Sequence, residues 1–254
     1  MDYLSVEEAR DRAGLKLVLT AGAPGPWGEA AKAILRHHGL AFLAVAQEAM
    51  GENGALKAWT GHRNAPILVA GDAAVFTGWH DILAFAERTG GGTRLLPEQP
   101  AARAEALGLS ALIAGPEGLG WTLRAAIMGL MVPTDTQAQA GLPMPVREAI
   151  AAYGVTAETL AAAPDRLTAI LGHLDRRLED GPFLLGSKVS APDIYWASFS
   201  NMLAPLPRDV SPMPEPMWNL YGNLPGRVLA AVTPRLLAHR DFLFAQHIGL
   251  PLDF

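Results

Sequence analysis

The chain has 254 residues, half of them hydrophobic, with a formal net charge of −5 and no cysteine. The missing thiols exclude cysteine nucleophiles, Cys-x-x-Cys redox chemistry, thiolate metal sites and disulfide staples. An acidic balance without a basic block argues against nucleic acid as a partner.

The chain opens Met1-Asp2-Tyr3-Leu4, with no basic stretch leading into an apolar run, so no secretory leader is expected. The longest apolar stretches, such as Leu109 to Ala114, fall far short of a membrane span. A soluble, cytoplasmic protein is the expectation. The first regular element is a strand, Leu15 to Thr20, followed by the turn-rich run Ala21-Gly22-Ala23-Pro24-Gly25-Pro26. A helix is predicted from Glu29 to His38, with Pro26 near its start and Gly39 past its end, the usual asymmetry of helix termini. Leu40 to Val45 reads as a second strand, and strand, helix, strand makes a βαβ unit with parallel strands.

A looser segment, 47–64, leads to Ala65-Pro66-Ile67-Leu68-Val69 and then to Ala74-Val75-Phe76-Thr77 across a Gly71-Asp72 turn, a hairpin pattern. A helix from Trp79 to Glu87 completes a βαβ-ββα order, the thioredoxin-like arrangement. Residues 91–97, rich in glycine and proline, read as a linker between a domain at 1–90 and one at 98–254. Beyond it the sequence offers only helical runs: 101–114, 119–131, 145–153, 164–179, 193–204 and 225–246. Prolines clustered between Pro205 and Pro216 mark an irregular loop. The predicted fold class is α/β followed by all-α.

Three local patterns carry a family resemblance. Pro26-Trp27 precedes the first predicted helix. Asn64-Ala65-Pro66-Ile67-Leu68-Val69 is similar to a "Val-Pro-x-Leu" strand that carries a cis-proline. Leu184-Leu185-Gly186-Ser187-Lys188-Val189-Ser190-Ala191-Pro192-Asp193 is similar to a "Leu-x-Gly-x-x-x-Ser-x-x-Asp" signature. Together with the element order, these resemble an atypical member of the glutathione S-transferase superfamily, over most of residues 15–204. The last pattern also reads physically, as a helix N-cap: the Ser190 hydroxyl would accept from the amide three residues on, while Asp193 reaches back.

The resemblance implies glutathione, or a related small acid, as ligand. It would lie against Gly25, Pro26 and Trp27 on one side and Asn64, Ala65, Pro66, Gly78 and Trp79 on the other. An apolar co-substrate would lie against Trp121, Arg124 and Met128, although helical spacing equally fits those three as core. The resemblance also implies a homodimer. Two departures stand out. Gly25 falls where serine or cysteine would stabilise the glutathione thiolate, and Ala21 falls where other classes use tyrosine. Gly78-Trp79 replaces the Glu-Ser pair that grips the γ-glutamyl end. The remaining catalytic candidates are Thr20, the nearest hydroxyl, and His80 beside Asp81, which reads equally well as a solvated first helical turn. No metal-binding spacing occurs around His37-His38 or elsewhere. Two readings follow: a glutathione transferase-like protein using helix N-terminal amides to hold the thiolate, or a non-catalytic binding protein that keeps the fold and uses the cleft for a hydrophobic ligand or protein partner.

Overall fold

The computed structural model describes residues 1–71 and 74–254. Asp72, and with it part of the expected Gly-Asp turn, lies outside the described residues. Helix α1 (Val6–Arg10) opens the chain, followed by strand β1 (Leu15–Thr20), α2 (Pro26–His37), β2 (Phe42–Gln47), α3 (Gly54–Thr60), β3 (Ile67–Ala70), β4 (Ala74–Phe76) and α4 (Trp79–Thr89). The four strands form one sheet in the order β2-β1-β3-β4. β1 and β2 run parallel, while β3 is antiparallel to both β1 and β4. This is the βαβ-ββα order expected from sequence.

Alternation along β1 divides the core. Leu17 and Leu19 face α2, α4 and the helical half of the molecule, whereas Val18 packs with Val45, Leu56, Ile67 and Val69 on the other face of the sheet. A single strand thus serves two apolar layers, because successive side chains point to opposite sides.

The sequence reading missed three features here. Helix α1 forms on a Ser5–Glu8 capping box, and Leu4 pairs with the edge of β2 by bridging to Val45. Helix α3 lies inside the segment read as loose. Helix α2 begins at Pro26 rather than Glu29, because proline at the first helical position sacrifices no hydrogen bond.

The helical half comprises α5 (Pro100–Ala114), α6 (Leu119–Gly129), α7 (Thr136–Ala140), α8 (Met144–Tyr153), α9 (Ala157–Arg177), α10 (Ala191–Ser200), α11 (Glu215–Leu220), α12 (Gly226–Ala230), α13 (Pro234–Leu243) and a π-helical turn at Phe244–Ile248. Among the described residues, no strand follows β4. Buried α10 is the axle of this half and packs against both α5 and α2.

Several predicted boundaries change. Helix α9 starts at a Thr156 cap and carries Pro164 in its interior, rather than starting there. The run 225–246 divides because Thr233 caps a new helix, its Oγ1 accepting from the Leu236 N–H, with Pro234 at the first position. Helix α11 begins inside the proline-rich loop, at Glu215.

The linker is not a free tether. Leu95 and Leu96 are buried, the Leu95 N–H donates to Glu87 at 2.8 Å, and the Leu95 carbonyl accepts from Ala191 at 2.9 Å. Buried His38 places Nε2 3.1 Å from the same Glu87 carboxylate and pairs through Nδ1 with the Gly91 carbonyl at 3.0 Å. The ends of α2 and α4 and the start of the helical half are therefore one connected structure.

Ser190 and Asp193 form the capping box expected at the start of α10, with the Ser190 hydroxyl bonded to the Asp193 carboxylate besides. The Ser190 hydroxyl donates to the Asp193 carboxylate at 2.6 Å, and the Ser190 N–H donates to the same oxygen at 2.8 Å. The other carboxylate oxygen accepts from the Leu184 N–H at 2.9 Å and lies 3.0 Å from His239 Nε2. Asp193 is fully buried, so this set of donors is what makes its position tolerable.

Candidate functional site

The start of α2 after β1, the loop before β3 and the start of α4 after β4 lie at the same end of the strands. Gly25 is the N-cap of α2 in extended conformation, with no side-chain cap. Pro26 has no N–H, so Trp27 and Gly28 supply the first-turn donors, at the positive end of the helix dipole. A side chain at position 25 would enter open space: a Cβ there meets one atom within contact range, Thr20 Oγ1 at 3.9 Å. The Thr20 hydroxyl thus points toward the space that a serine or cysteine at position 25 would fill.

Thr20 is nevertheless committed. Its hydroxyl donates to Gln47 Oε1 at 2.8 Å, and the Gln47 amide is oriented in turn by donating through Nε2 to the Glu48 carbonyl. With its proton held there, Thr20 presents lone pairs rather than a donor to the mouth of α2.

Ala65–Pro66 is a cis peptide. The ladder with β1 begins at Ile67, so Asn64 and Ala65 lie outside it at the end of β3. Helix α4 also starts without a side-chain cap: Gly78 is its N-cap, with Trp79 following. The Asp81 carboxylate would lie 3.0 Å from a Cβ at Gly78, so the acidic group hangs over that helix mouth. His80 and Asp81 are both largely exposed, with Nδ1 and Oδ1 3.6 Å apart. They form a solvated first turn, and nothing buried orients the imidazole.

Trp27 joins the two halves of the molecule. Its indole N–H donates to the Ala114 carbonyl at 2.8 Å, and its ring meets Phe199 edge-on, with centroids 4.8 Å apart. Trp121 lies 6.0 Å from Trp27, and Tyr153 lies 5.0 Å from Trp121, giving a chain of aromatic rings across the cleft. Gly120 makes this approach feasible, since a Cβ there would stand 2.1 Å from the Phe199 ring. Trp79 packs edge-on to Tyr195 at 5.6 Å, and the Tyr195 hydroxyl donates to the Trp79 carbonyl at 3.0 Å. Deep burial pushes the Tyr195 phenol far above its usual range, so it serves as a neutral donor.

Of the three α6 residues, Trp121 packs between Trp27 and Tyr153, and Arg124 has Tyr221 and Tyr153 nearby. Met128 lies elsewhere: it is 5% exposed and packs with Ala125, Ile150 and Val155 between α6 and α8. Helical spacing had left that alternative open. Sequence reading missed Gln47, which sets the Thr20 proton, and Tyr153, which extends the aromatic chain from α8. It also missed the Arg63–Glu148 ion pair, which ties the loop before β3 to α8.

Two prominent cavities lie apart from these residues. One of about 190 Å³ separates α2 from the C-terminal tail, and one of about 360 Å³ runs along α7 and α8. The first is lined by Glu29, Lys32, Arg36 and Asp253. Lys32 Nζ reaches Glu29 Oε1 and Asp253 Oδ1, each at 2.9 Å. Burial raises the Glu29 carboxyl above its usual value despite Lys32. Partial burial would also raise Asp253, but hydrogen bonds from Arg36 and Lys32 outweigh it and bring the carboxyl down to about 2. Neither cavity is lined by Trp27, Trp121 or Tyr153.

Among the described residues, no group of three or more His, Asp or Glu side chains is placed to hold a metal, and no helix is long and apolar enough to cross a membrane.

A thioredoxin-like sheet domain, joined through a buried linker to a helical bundle, with the mouths of two helices beside a cis-proline, is the fold of glutathione S-transferases. A glutathione S-transferase of Methylobacterium radiotolerans, solved with glutathione sulfonate, superposes with a TM-score of 0.63 at 16% identity, over 94% of this chain and 97% of that one. A rice glutathione S-transferase in complex with glutathione gives 0.61 at 17% identity, over 95% and 94%. One from Pseudomonas fluorescens gives 0.59 at 17%, over 95% and 100%. No protein-family model and no curated protein sequence matches the chain.

Proposed function

We propose that this protein binds glutathione, or a related small acid, at the joined mouths of α2 and α4, and an apolar co-substrate against the aromatic chain. The observation that carries this reading is the bare N-terminus of α2. Uncapped first-turn amides, next to the room left at Gly25, can hold a thiolate without any side-chain hydroxyl. Asn64 and Ala65 offer backbone at the end of β3 for strand-like pairing with the peptide part of the ligand. At the mouth of α4, where Asp81 overhangs Gly78 beside Trp79, the ligand's ammonium group rather than a carboxylate would sit. Structural neighbours solved with glutathione or its sulfonate support the ligand class.

In this reading the thiol loses its proton to solvent, and the α2 amides stabilise the sulfur anion. Trp27 and Trp121 then present an apolar electrophile to it. Thr20 acts through Gln47 as a fixed acceptor rather than as the thiolate donor, and His80 takes no part. A cytoplasmic homodimer belongs to the same reading.

One observation favours a second reading, a non-catalytic binding protein. Among the described residues, no hydroxyl stands free at the mouth of α2. Calorimetric titration of glutathione into the full chain and into Trp79→Ala separates ligand binding from its absence. Saturable binding that weakens severalfold in the variant is expected. No heat and no thermal stabilisation at millimolar glutathione would remove the glutathione reading.

A further inference from the structure

Arg124 stands one helical turn beyond Trp121. Its Nε is buried and has no hydrogen-bond partner among the described residues. No acidic side chain pairs with it among the described residues either, although most other arginines of this chain have such a partner. Its polar neighbours are Tyr221 and Tyr153. Burial opposes its charge, and these two tyrosines outweigh that opposition, so the group stays a guanidinium. Neutral phenols can accept a hydrogen bond but cannot balance a charge.

Arg124 is only partly buried, so the guanidinium keeps an accessible edge with no acidic partner, to which an anion can be brought. Tyr153 packs on Trp121 and lies near enough to Arg124 to act on its charge, so the cation lies near the far end of the aromatic chain that starts at Trp27. A flat apolar body against Trp121 and Tyr153 would therefore reach Arg124 with its distal end. The guanidinium fork matches a carboxylate bidentately, which a point charge does not.

We propose that the co-substrate side of this cleft selects aromatic or otherwise flat apolar molecules bearing a carboxylate, with Arg124 as the specificity-determining residue. This inference rests on the reading of the aromatic cleft as the apolar co-substrate site.

The test is calorimetric titration of naphthalene-2-carboxylate and of its neutral counterpart, naphthalene-2-carboxamide, into the full chain, Arg124→Gln and Arg124→Lys. The wild type should prefer the carboxylate by about tenfold or more, the effect of a charge-assisted pair over a neutral one. Arg124→Gln should bring the two ligands to equal affinity. Arg124→Lys, which keeps the charge but not the fork, should reduce the preference about threefold or more. Should the glutamine variant fail to fold, the lysine variant decides. Equal affinities in the wild type, no binding of the carboxylate, or a preference unchanged by substitution would overturn the proposal. Glutathione titrated into the same proteins reports separately on the earlier reading. Carboxylate preference without glutathione binding keeps this inference and removes the glutathione reading; glutathione binding without carboxylate preference does the reverse.

Discussion

The N-termini of α2 and α10 start with the same problem and end in opposite states. Both begin with unpaired amides, a positive dipole end and a proline in the first turn. At α10, Asp193 and Ser190 close the end completely, and Leu184 and His239 are recruited to the same carboxylate. At α2, Gly25 contributes no side chain, and the amides of Trp27 and Gly28 have no side-chain cap. The sealed end is buried in the helical half, where an unmet donor would have no water to turn to. The open end lies at the molecular surface beside Ala65 and Pro66. In the proposed function the bare mouth serves binding, whereas the mouth sealed in the core serves folding.

The contrast can be broken at its strongest point first. Asp193→Ala leaves the Leu184 and Ser190 donors and His239 without a buried acceptor and is expected to cost about 3–5 kcal/mol. Urea unfolding measures it, and a loss below about 1 kcal/mol would mean that water or rearrangement satisfies those groups. Trp27→Ala removes the contact with Phe199 and the bond to the Ala114 carbonyl. A loss of about 2–4 kcal/mol should appear in the same assay, together with weaker binding of apolar ligands.

Asp253→Asn tests the tail over α2, with an expected loss of about 1 kcal/mol at neutral pH for a partly exposed pair. Asp253 has its pKa lowered on folding, so its contribution is full above the ordinary value of 3.8 and disappears as pH falls toward about 2. The difference between wild type and Asp253→Asn in urea midpoints should shrink across that window. A difference constant with pH would assign it to packing instead. The smallest effect on stability belongs to Gly25→Ser. Its φ is −62° and the space is open, so serine fits and caps α2, gaining a few tenths of a kcal/mol. The same hydroxyl should raise the rate of glutathione conjugation with an aryl halide, and an unchanged or lower rate would argue that the α2 mouth does not hold the sulfur.

Much of this contrast was legible in the sequence. The capping pattern of α10 was read from Ser190 and Asp193, and the sheet order from the apolar runs with their intervening turns. Gly25 and Pro26 were seen to leave α2 without a hydroxyl. What could not be read were contacts between residues far apart in the chain. Gln47 fixes the Thr20 proton across adjacent parallel strands, and Tyr153 joins Trp121 from a different helix. His239 reaches Asp193 from 46 residues away. Local periodicity carries none of these. It also placed Met128 ambiguously, because the same face of α6 that meets the cleft at Trp121 turns into the α8 interface within two turns. Helix α3 escaped because its seven residues open with Gly54 and close on Gly61, too short a run for periodicity to register.

The central claim is that backbone amides at the mouth of α2 hold a glutathione thiolate. Ultraviolet absorption of the bound thiolate, followed against pH in the wild-type protein, tests it most directly. The account predicts that bound glutathione ionises below the usual thiol value of about 8.5, and that the shift deepens in Gly25→Ser. A bound thiol that titrates at or above the free value in both proteins would contradict it.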